Sequence, residues 1–345
     1  MKLKPALASL VLAFGLVIAG AVSSQAADAL LINGAGATFP YPIYSKWFDE
    51  FGKRHSDIHF NYQSVGSGAG IRQVSEMTVD FGATDVPMND EQIKSSKQKL
   101  LHFPTVIGAV VPSFNLPGVN TELNFTGETL AKIFLGQITR WNDPQIAKAN
   151  TGINLPDKPI VVVHRSDGSG TSYIWTDFLS KVSPDWLQKV GKGTSIQWPV
   201  GLGGKGNEGV SGLVKQTPYA IGYLELIYAI QNKEAYGKVQ NRGGSFIKAT
   251  IDTVSEAAAG AVKTMPEDFR VSITDASGSS GYPISSFTWL LVPEKINDPK
   301  KGKAIVEFLK WMLHDGQSMA RDLSYAPLPK EVVLKEESAI SRIKY

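Results

Sequence analysis

HRSDGSGTS, residues 164–172, places one guanidinium, one carboxylate and a Gly/Ser/Thr turn directly ahead of a helical pattern. Residues 160–163 read as a short buried strand, and residues 173–179 carry apolar side chains at helical spacing. Gly168, Ser169, Gly170 and Thr171 therefore sit at a helix mouth, where unpaired backbone N–H groups and the positive end of the helix dipole converge. Arg165 adds a planar fork suited to phosphate or carboxylate. Taken alone, the segment also fits an ion pair between Arg165 and Asp167 that braces an ordinary capped turn.

The same strand, turn and helix grammar recurs upstream. Leu31 and Ile32 begin a strand that runs into GAGATFP, after which Phe39, Ile43, Trp47, Phe48 and Phe51 mark one helix face. A strand at residues 58–62 leads through VGSGAG, residues 65–70, into a helix with Ile71 and Val74. DFGATDVP, residues 80–87, supplies a third short strand that ends at Asp85. Helix capping explains any one of these turns, but three with Ser or Thr hydroxyls, plus Arg165 and Asp85, are less readily explained by capping alone. Alternation of this kind is the mark of open α/β sheets, whose ligands sit beyond the carboxyl ends of the strands.

The rest of the chain gives coarser signals. Residues 104–111 are apolar, suggesting a strand and then a crossing to another domain. Helices are expected at residues 127–135 and 143–149. GLGGKGNEGV, residues 201–210, is another glycine-rich loop, followed by a helix and a strand at residues 220–223. Residues 249–261 are partly helical by composition, and the Gly/Ser-rich residues 275–283 suit a second crossing. A buried strand at residues 287–292 and an amphipathic helix at residues 304–313 follow.

The amino-terminal residues have a basic start at Lys2 and Lys4, an apolar run over residues 6–22, and small residues at Ser24 and Ala26. This pattern is a secretory signal peptide cleaved after Ala26. The chain of 345 residues has no cysteine, so neither a disulfide nor a lipid on an amino-terminal cysteine is available. Export to the periplasm as a free protein is the expectation. Cleavage removes two lysines and no acidic residue, lowering the formal charge from +3 to +1. Near-neutral balance and the lack of basic blocks interleaved with aromatics argue against nucleic acid. The length favours two domains.

Several chemistries fit poorly. GAGATF lacks the third glycine of a dinucleotide fingerprint, VGSGAG is short of its spacing, and neither GSGTS nor GGKGNE matches the phosphate loop of nucleotide hydrolases. Neither Ser67 nor Ser169 has the flanking glycines of an esterase elbow. His55 and His59 are spaced like a helical metal pair, but no third ligand is indicated, so no metal and no cofactor are expected.

GAGATFP, the GSGAG-type turn, DFGATDVP, FPTVIG, RSDGSGT, WPVGLGGKGN, AIGY and SYAPLP together resemble the periplasmic phosphate-binding proteins of high-affinity phosphate ABC transporters. The resemblance spans nearly the whole mature chain. It implies a two-lobed, type II-like α/β binding protein in which each lobe is a mixed sheet flanked by helices and the ligand cleft lies between them. Residues 27–106 and 283–345 would form lobe I and residues 107–282 lobe II, with crossings near Val106 and Pro283 as a hinge. The resemblance further implies that phosphate is held by Thr38, the Phe39 N–H, Ser67 and Asp85 from one lobe. Arg165, Ser169, Gly170 and Thr171 would hold it from the other, with Asp167 paired to Arg165. A monomer that serves a membrane permease and ATPase complex is implied, and not an enzyme. Two departures are mild: Thr84 stands where serine is common, and His164 where another basic residue can occur.

Physical chemistry agrees with these roles. A single arginine does not neutralise a dianion, so neutral donors at helix mouths must contribute most of the binding. Asp85 is the odd member, since a carboxylate about 4 Å from a second negative charge costs on the order of 4 kcal/mol per unit charge at a surface-like dielectric. It becomes favourable only where the ligand donates a proton, which phosphate can do and sulfate cannot. Asp85 as a helix cap before Pro87 is the plain alternative. Rival functions are a carrier for another tetrahedral oxyanion, such as sulfate or molybdate, and an exported phosphatase, which would need a nucleophile beside a base or paired metals.

Overall fold

Strand, turn and helix alternate as expected in the computed structural model, which describes residues 29–345. The leader assigned to residues 1–26 lies outside the described residues. The first part runs β1 (Leu30–Gly36), α1 (Tyr41–Arg54), β2 (Ile58–Ser64), α2 (Ser67–Ser75), β3 (Phe81–Thr84), α3 (Asp90–Ser95) and β4 (Leu100–Phe114). Next come β5 (Asn124–Phe125), α4 (Gly127–Phe134), α5 (Pro144–Ala149), β6 (Val161–Arg165), α6 (Gly170–Val182), α7 (Pro184–Lys189), β7 (Leu202–Gly204) and α8 (Gly206–Gln216). They lead to β8 (Ala220–Glu225), α9 (Leu226–Asn232), β9 (Ala235–Tyr236), β10 (Lys238–Gln240), β11 (Phe246–Ile247) and α10 (Ile251–Val262). The chain closes with β12 (Ser285–Pro293), α11 (Pro299–Leu313) and α12 (Lys330–Ile340).

One path of strands, β2-β1-β3-β12-β4-β8-β6-β7, links both halves of the molecule, and β4 belongs to both. Its residues up to Ala109 pair with β12, whereas from Val110 onward they pair with β8. β1 is parallel to β2 and β3, and β6 is parallel to β7 and β8. The carboxyl ends of each parallel set therefore lie side by side, and the turns that follow those strands become neighbours. Every residue of β4 and β12 is buried. Strands covered on both faces read as near-continuous apolar runs, the pattern that marks these two in the sequence.

β4 extends well beyond residues 104–111. Pro104 and Pro112 look like strand ends because proline cannot donate to a ladder. The strand absorbs Pro104 with an irregularity: Thr288 pairs with Val106 but Trp289 pairs with Pro104, leaving Thr105 as the extra residue. The Thr105 hydroxyl donates to the Thr288 carbonyl at 3.2 Å and so ties the bulge down.

Helix starts also differ from the expected ones. α6 begins at Gly170, because the Ser169 hydroxyl accepts from the Ser172 N–H and caps it. Part of the loop at residues 201–210 is already β7 and the first turn of α8. α11 starts at Pro299, where Asp298 accepts from the N–H groups of Lys300 and Lys301. In each case small or polar residues in the first turn mask a helix whose apolar face begins later. α1 follows its sequence pattern closely, burying Ile43, Tyr44, Trp47 and Phe51. Among the described residues no helix is long and apolar enough to cross a membrane.

Candidate functional site

Three turns follow the adjacent strands of the β2-β1-β3 set. Thr38 and Phe39 follow β1, Ser67 opens α2 after β2, and Asp85 follows β3. All four residues are buried. The Asp85 N–H donates to Ser67 Oγ at 3.1 Å, and the Ser67 hydroxyl lies 3.4 Å from Asp85 Oδ2. Thr288, on β12, donates to Asp85 Oδ1 at 2.8 Å. Asp85 caps no helix, since α3 is capped by Asn89 instead. Two tyrosines fix the first turn from behind. The Tyr228 hydroxyl donates to the Thr38 carbonyl at 2.6 Å, and the Tyr325 hydroxyl donates to the Phe39 carbonyl at 2.6 Å.

The opposing wall is built on β6 and β7. Arg165 ends β6, and its guanidinium grips Asp167 with two bonds, Nε to Oδ1 at 2.7 Å and Nη2 to Oδ2 at 2.5 Å. Its Nη1 donates to Thr171 Oγ1 at 3.3 Å. Ser169, Gly170 and Thr171 form the cap and first turn of α6. The N–H groups of that turn have no partner within the helix. Tyr223 sits beneath, accepting from the Arg165 N–H at 3.0 Å and sharing a 2.6 Å hydroxyl bond with Ser172.

The two walls touch. The Gly68 N–H donates to the Gly168 carbonyl at 2.9 Å. A Cβ on Gly170 would lie 2.4 Å from Ser67 Oγ and 2.6 Å from Asp85 Oδ2. Any side chain there would drive the α6 mouth away from Asp85. Gly66 has φ +92 and would place a Cβ 2.4 Å from Asp167 Oδ2, so both its conformation and its space call for glycine. Thr38, Phe39, Ser67, Asp85, Arg165, Ser169, Gly170 and Thr171 are thus brought into one cluster, with Asp167 directly behind Arg165.

Burial pushes Asp85 up to about 7, against the opposing pulls of Thr288, Arg165 and Ser67. Burial also works against ionised Asp167, yet Arg165 and the Gly206 N–H hold it below the ordinary carboxylate range. Glu225 is fully buried; burial raises it well above its ordinary value, although its side chain also caps α9 through the Ile227 N–H at 2.7 Å. With Arg165 matched by Asp167, the cluster carries little net positive charge. Dipoles and hydroxyls dominate its attraction for an anion.

Comparison with known proteins bears directly on this arrangement. A model of the PBP superfamily domain matches residues 21–315. The phosphate-binding protein PstS of Pasteurella multocida is 46% identical over 89% of this chain and 89% of its own length. That of Haemophilus influenzae is 43% identical, over 89% of this chain and 91% of its own. The chain belongs to the PstS family of phosphate-binding proteins. A high-affinity periplasmic phosphate-binding protein solved with phosphate at pH 8.5 has a TM-score of 0.72 at 21% identity, covering 90% of this chain and 93% of its own. The phosphate binding protein of Stenotrophomonas maltophilia gives 0.70 at 19%, covering 90% and 94%. These likenesses carry the fold, a two-lobed α/β architecture with mixed sheets flanked by helices.

Two polar residues of this PstS-family cluster are absent from the sequence reading. Asn207 lies at the start of α8, and its Nδ2 donates to Thr38 Oγ1 at 2.7 Å and to Thr171 Oγ1 at 3.2 Å. Its loop was visible as glycine-rich, and its position after β7 repeats the turn grammar of the other three. Thr288 gives no local signal, because it lies in a wholly buried strand and reaches Asp85 across the fold.

Proposed function

We infer that the protein captures one inorganic phosphate ion between its lobes in the periplasm and delivers it to an ABC importer of the inner membrane. Thr38, the Phe39 N–H, Ser67 and Asp85 hold the ion from one side. Arg165, Ser169, Gly170 and Thr171 hold it from the other, with Asp167 locking the guanidinium in place. The observation that carries this reading is a buried carboxylate, Asp85, with no cation bonded to it among the described residues and set against a wall of donors. Such a site satisfies a tetrahedral anion that offers several acceptor oxygens and one hydroxyl. Phosphate has that hydroxyl at neutral pH; sulfate would leave two acceptors facing each other.

Binding is reversible because few full charges are neutralised, and closure strengthens each bond by excluding water. Lobe I comprises residues 27–106 and 283–345, and lobe II residues 107–282. The crossings near Val106 and Pro283 act as the hinge. The change of strand partner after Ala109, and the entry into β12 just after Pro283, support that placement. The permease and ATPase complex is the partner, and the carrier works as a monomer without catalysing a reaction. The names of the relatives, all phosphate-binding proteins, support the ligand. Deleting the gene should abolish uptake at low phosphate, and the wild-type gene should restore it whereas an Arg165→Ala gene should not. Undiminished uptake in the deletion strain would overturn the delivery role.

A further inference from the structure

Asn207 has its side-chain oxygen and both Nδ2 hydrogens engaged within the protein. Its side-chain oxygen accepts from the Glu225 N–H at 2.9 Å. That bond fixes which end of the amide is which, so Nδ2 faces the cleft. One Nδ2 hydrogen goes to Thr38 Oγ1 and the other to Thr171 Oγ1. The Asn207 backbone N–H also donates to Thr38 Oγ1, at 3.2 Å. Asn207 itself is fully buried.

The consequence falls on the two threonines. A hydroxyl has two lone pairs and one hydrogen. Thr38 Oγ1 accepts twice, both times from Asn207. Thr171 Oγ1 accepts from Asn207 and from Arg165 Nη1. Each oxygen is saturated as an acceptor, so each O–H is available only as a donor. Neither hydroxyl has a protein acceptor among the described residues.

We propose that Asn207 is a positioning residue that fixes the hydroxyls of Thr38 and Thr171, one on each lobe, as obligate donors to the bound phosphate. This rests on the phosphate-capture reading and deepens it. A ligand oxygen opposite either threonine must accept, because a P–OH hydrogen aimed at either hydroxyl would meet a donor. The ligand proton is thereby directed to Asp85, and Asn207 shares in choosing the ligand without touching it. By joining one hydroxyl of each lobe, the same amide also makes closure and donor orientation a single event.

The test compares phosphate affinity of the wild type, Asn207→Asp and Asn207→Leu by calorimetry from pH 5 to pH 8. Melting temperatures and circular dichroism check that each variant folds. At pH 8 Asn207→Asp should bind about a hundredfold more weakly, since both threonine hydroxyls turn to donate to the new carboxylate. As that carboxylate takes up a proton at lower pH, it regains a donor. The ratio of wild-type to Asn207→Asp affinity should then shrink about tenfold or more towards pH 5. Asn207→Leu, which can never donate, should be weakened at every pH with a constant ratio. Asp85, Arg165, Asp167, Glu208, Glu225 and Tyr228 also surround the site, and Asn207→Leu, which adds no charge, serves as the control for their effect on the pH dependence. A pH-independent ratio for Asn207→Asp, or wild-type affinity in Asn207→Leu, overturns the assignment. A folded wild type that takes up no phosphate would instead sink the functional reading itself.

Discussion

On the β6 side of the cleft every charge has its counter-charge close by: Arg165 grips Asp167, which also accepts from the Gly206 N–H. On the β3 side Asp85 has, among the described residues, no cation in direct contact and only the hydroxyls of Ser67 and Thr288 bonded to its carboxylate. The first wall offers donors in fixed directions and suits any tetrahedral anion. The second holds a carboxylate whose burial lifts it to about 7, and in its ionised form it favours a ligand that brings a proton. The proposed reading therefore puts affinity mainly on one lobe and selectivity on the other. A site of two donor walls would bind sulfate as readily as phosphate.

Removing the acceptor tests that division most severely. Asp85→Asn converts the β3 side to a donor, and discrimination against sulfate should fall by about tenfold or more at pH 8, measured as the ratio of the two dissociation constants. Retained preference would place selectivity elsewhere. Arg165→Ala attacks the other wall and strands Asp167, so phosphate affinity should drop about a thousandfold with little change in the phosphate-to-sulfate ratio. A collapse of that ratio in Arg165→Ala would erase the division of labour.

Acidity offers a test without mutation. A protonated Asp85 can donate to sulfate, so the carboxyl that excludes sulfate at high pH should admit it once neutral. With a value of about 7, sulfate affinity should rise about tenfold per unit from pH 9 down to 7 and level off below that. The stability of the ligand-free closed form follows the same group. Its raised value means that the folded state binds the proton more tightly than the unfolded chain does. Stability should therefore decline as pH rises from about 4 to 7, with the decline lost in Asp85→Asn.

The smallest effect should come from Thr288→Val, which removes one hydroxyl from Asp85 Oδ1 while keeping nearly the same shape. Loss of a donor that favours the charged form should raise Asp85 further and weaken phosphate by roughly three- to tenfold. The sulfate pH profile should move upward in parallel. An unchanged profile would mean that Thr288 serves the strand alone.

The turns of the site were legible because glycine and hydroxyl residues between an apolar strand and an apolar helix face have few other uses. GAGATF, VGSGAG and DGSGTS each pointed to a helix mouth, and the parallel β2-β1-β3 order explains why the first two meet. Asp85 and Arg165 stood out as charges placed among neutral donors. Arg165's partner Asp167 was legible beside it, but the residues that hold Asp85 and Thr38 were not, because they come from far along the chain. Thr288 reaches Asp85 over 203 residues, and Asn207 reaches Thr38 over 169. No local spacing encodes such contacts. The length of β4 was hidden for a different reason: Pro104 signals an end, but a bulge at Thr105 lets the strand continue into the second lobe.

A buried acceptor in a donor-lined cleft is proposed to make this protein select phosphate. Calorimetric titration of the phosphate-stripped mature protein with phosphate, and separately with sulfate, at pH 8 tests it most directly. Tight one-to-one phosphate binding with sulfate at least about tenfold weaker is the predicted result, and comparable binding of the two anions would contradict it.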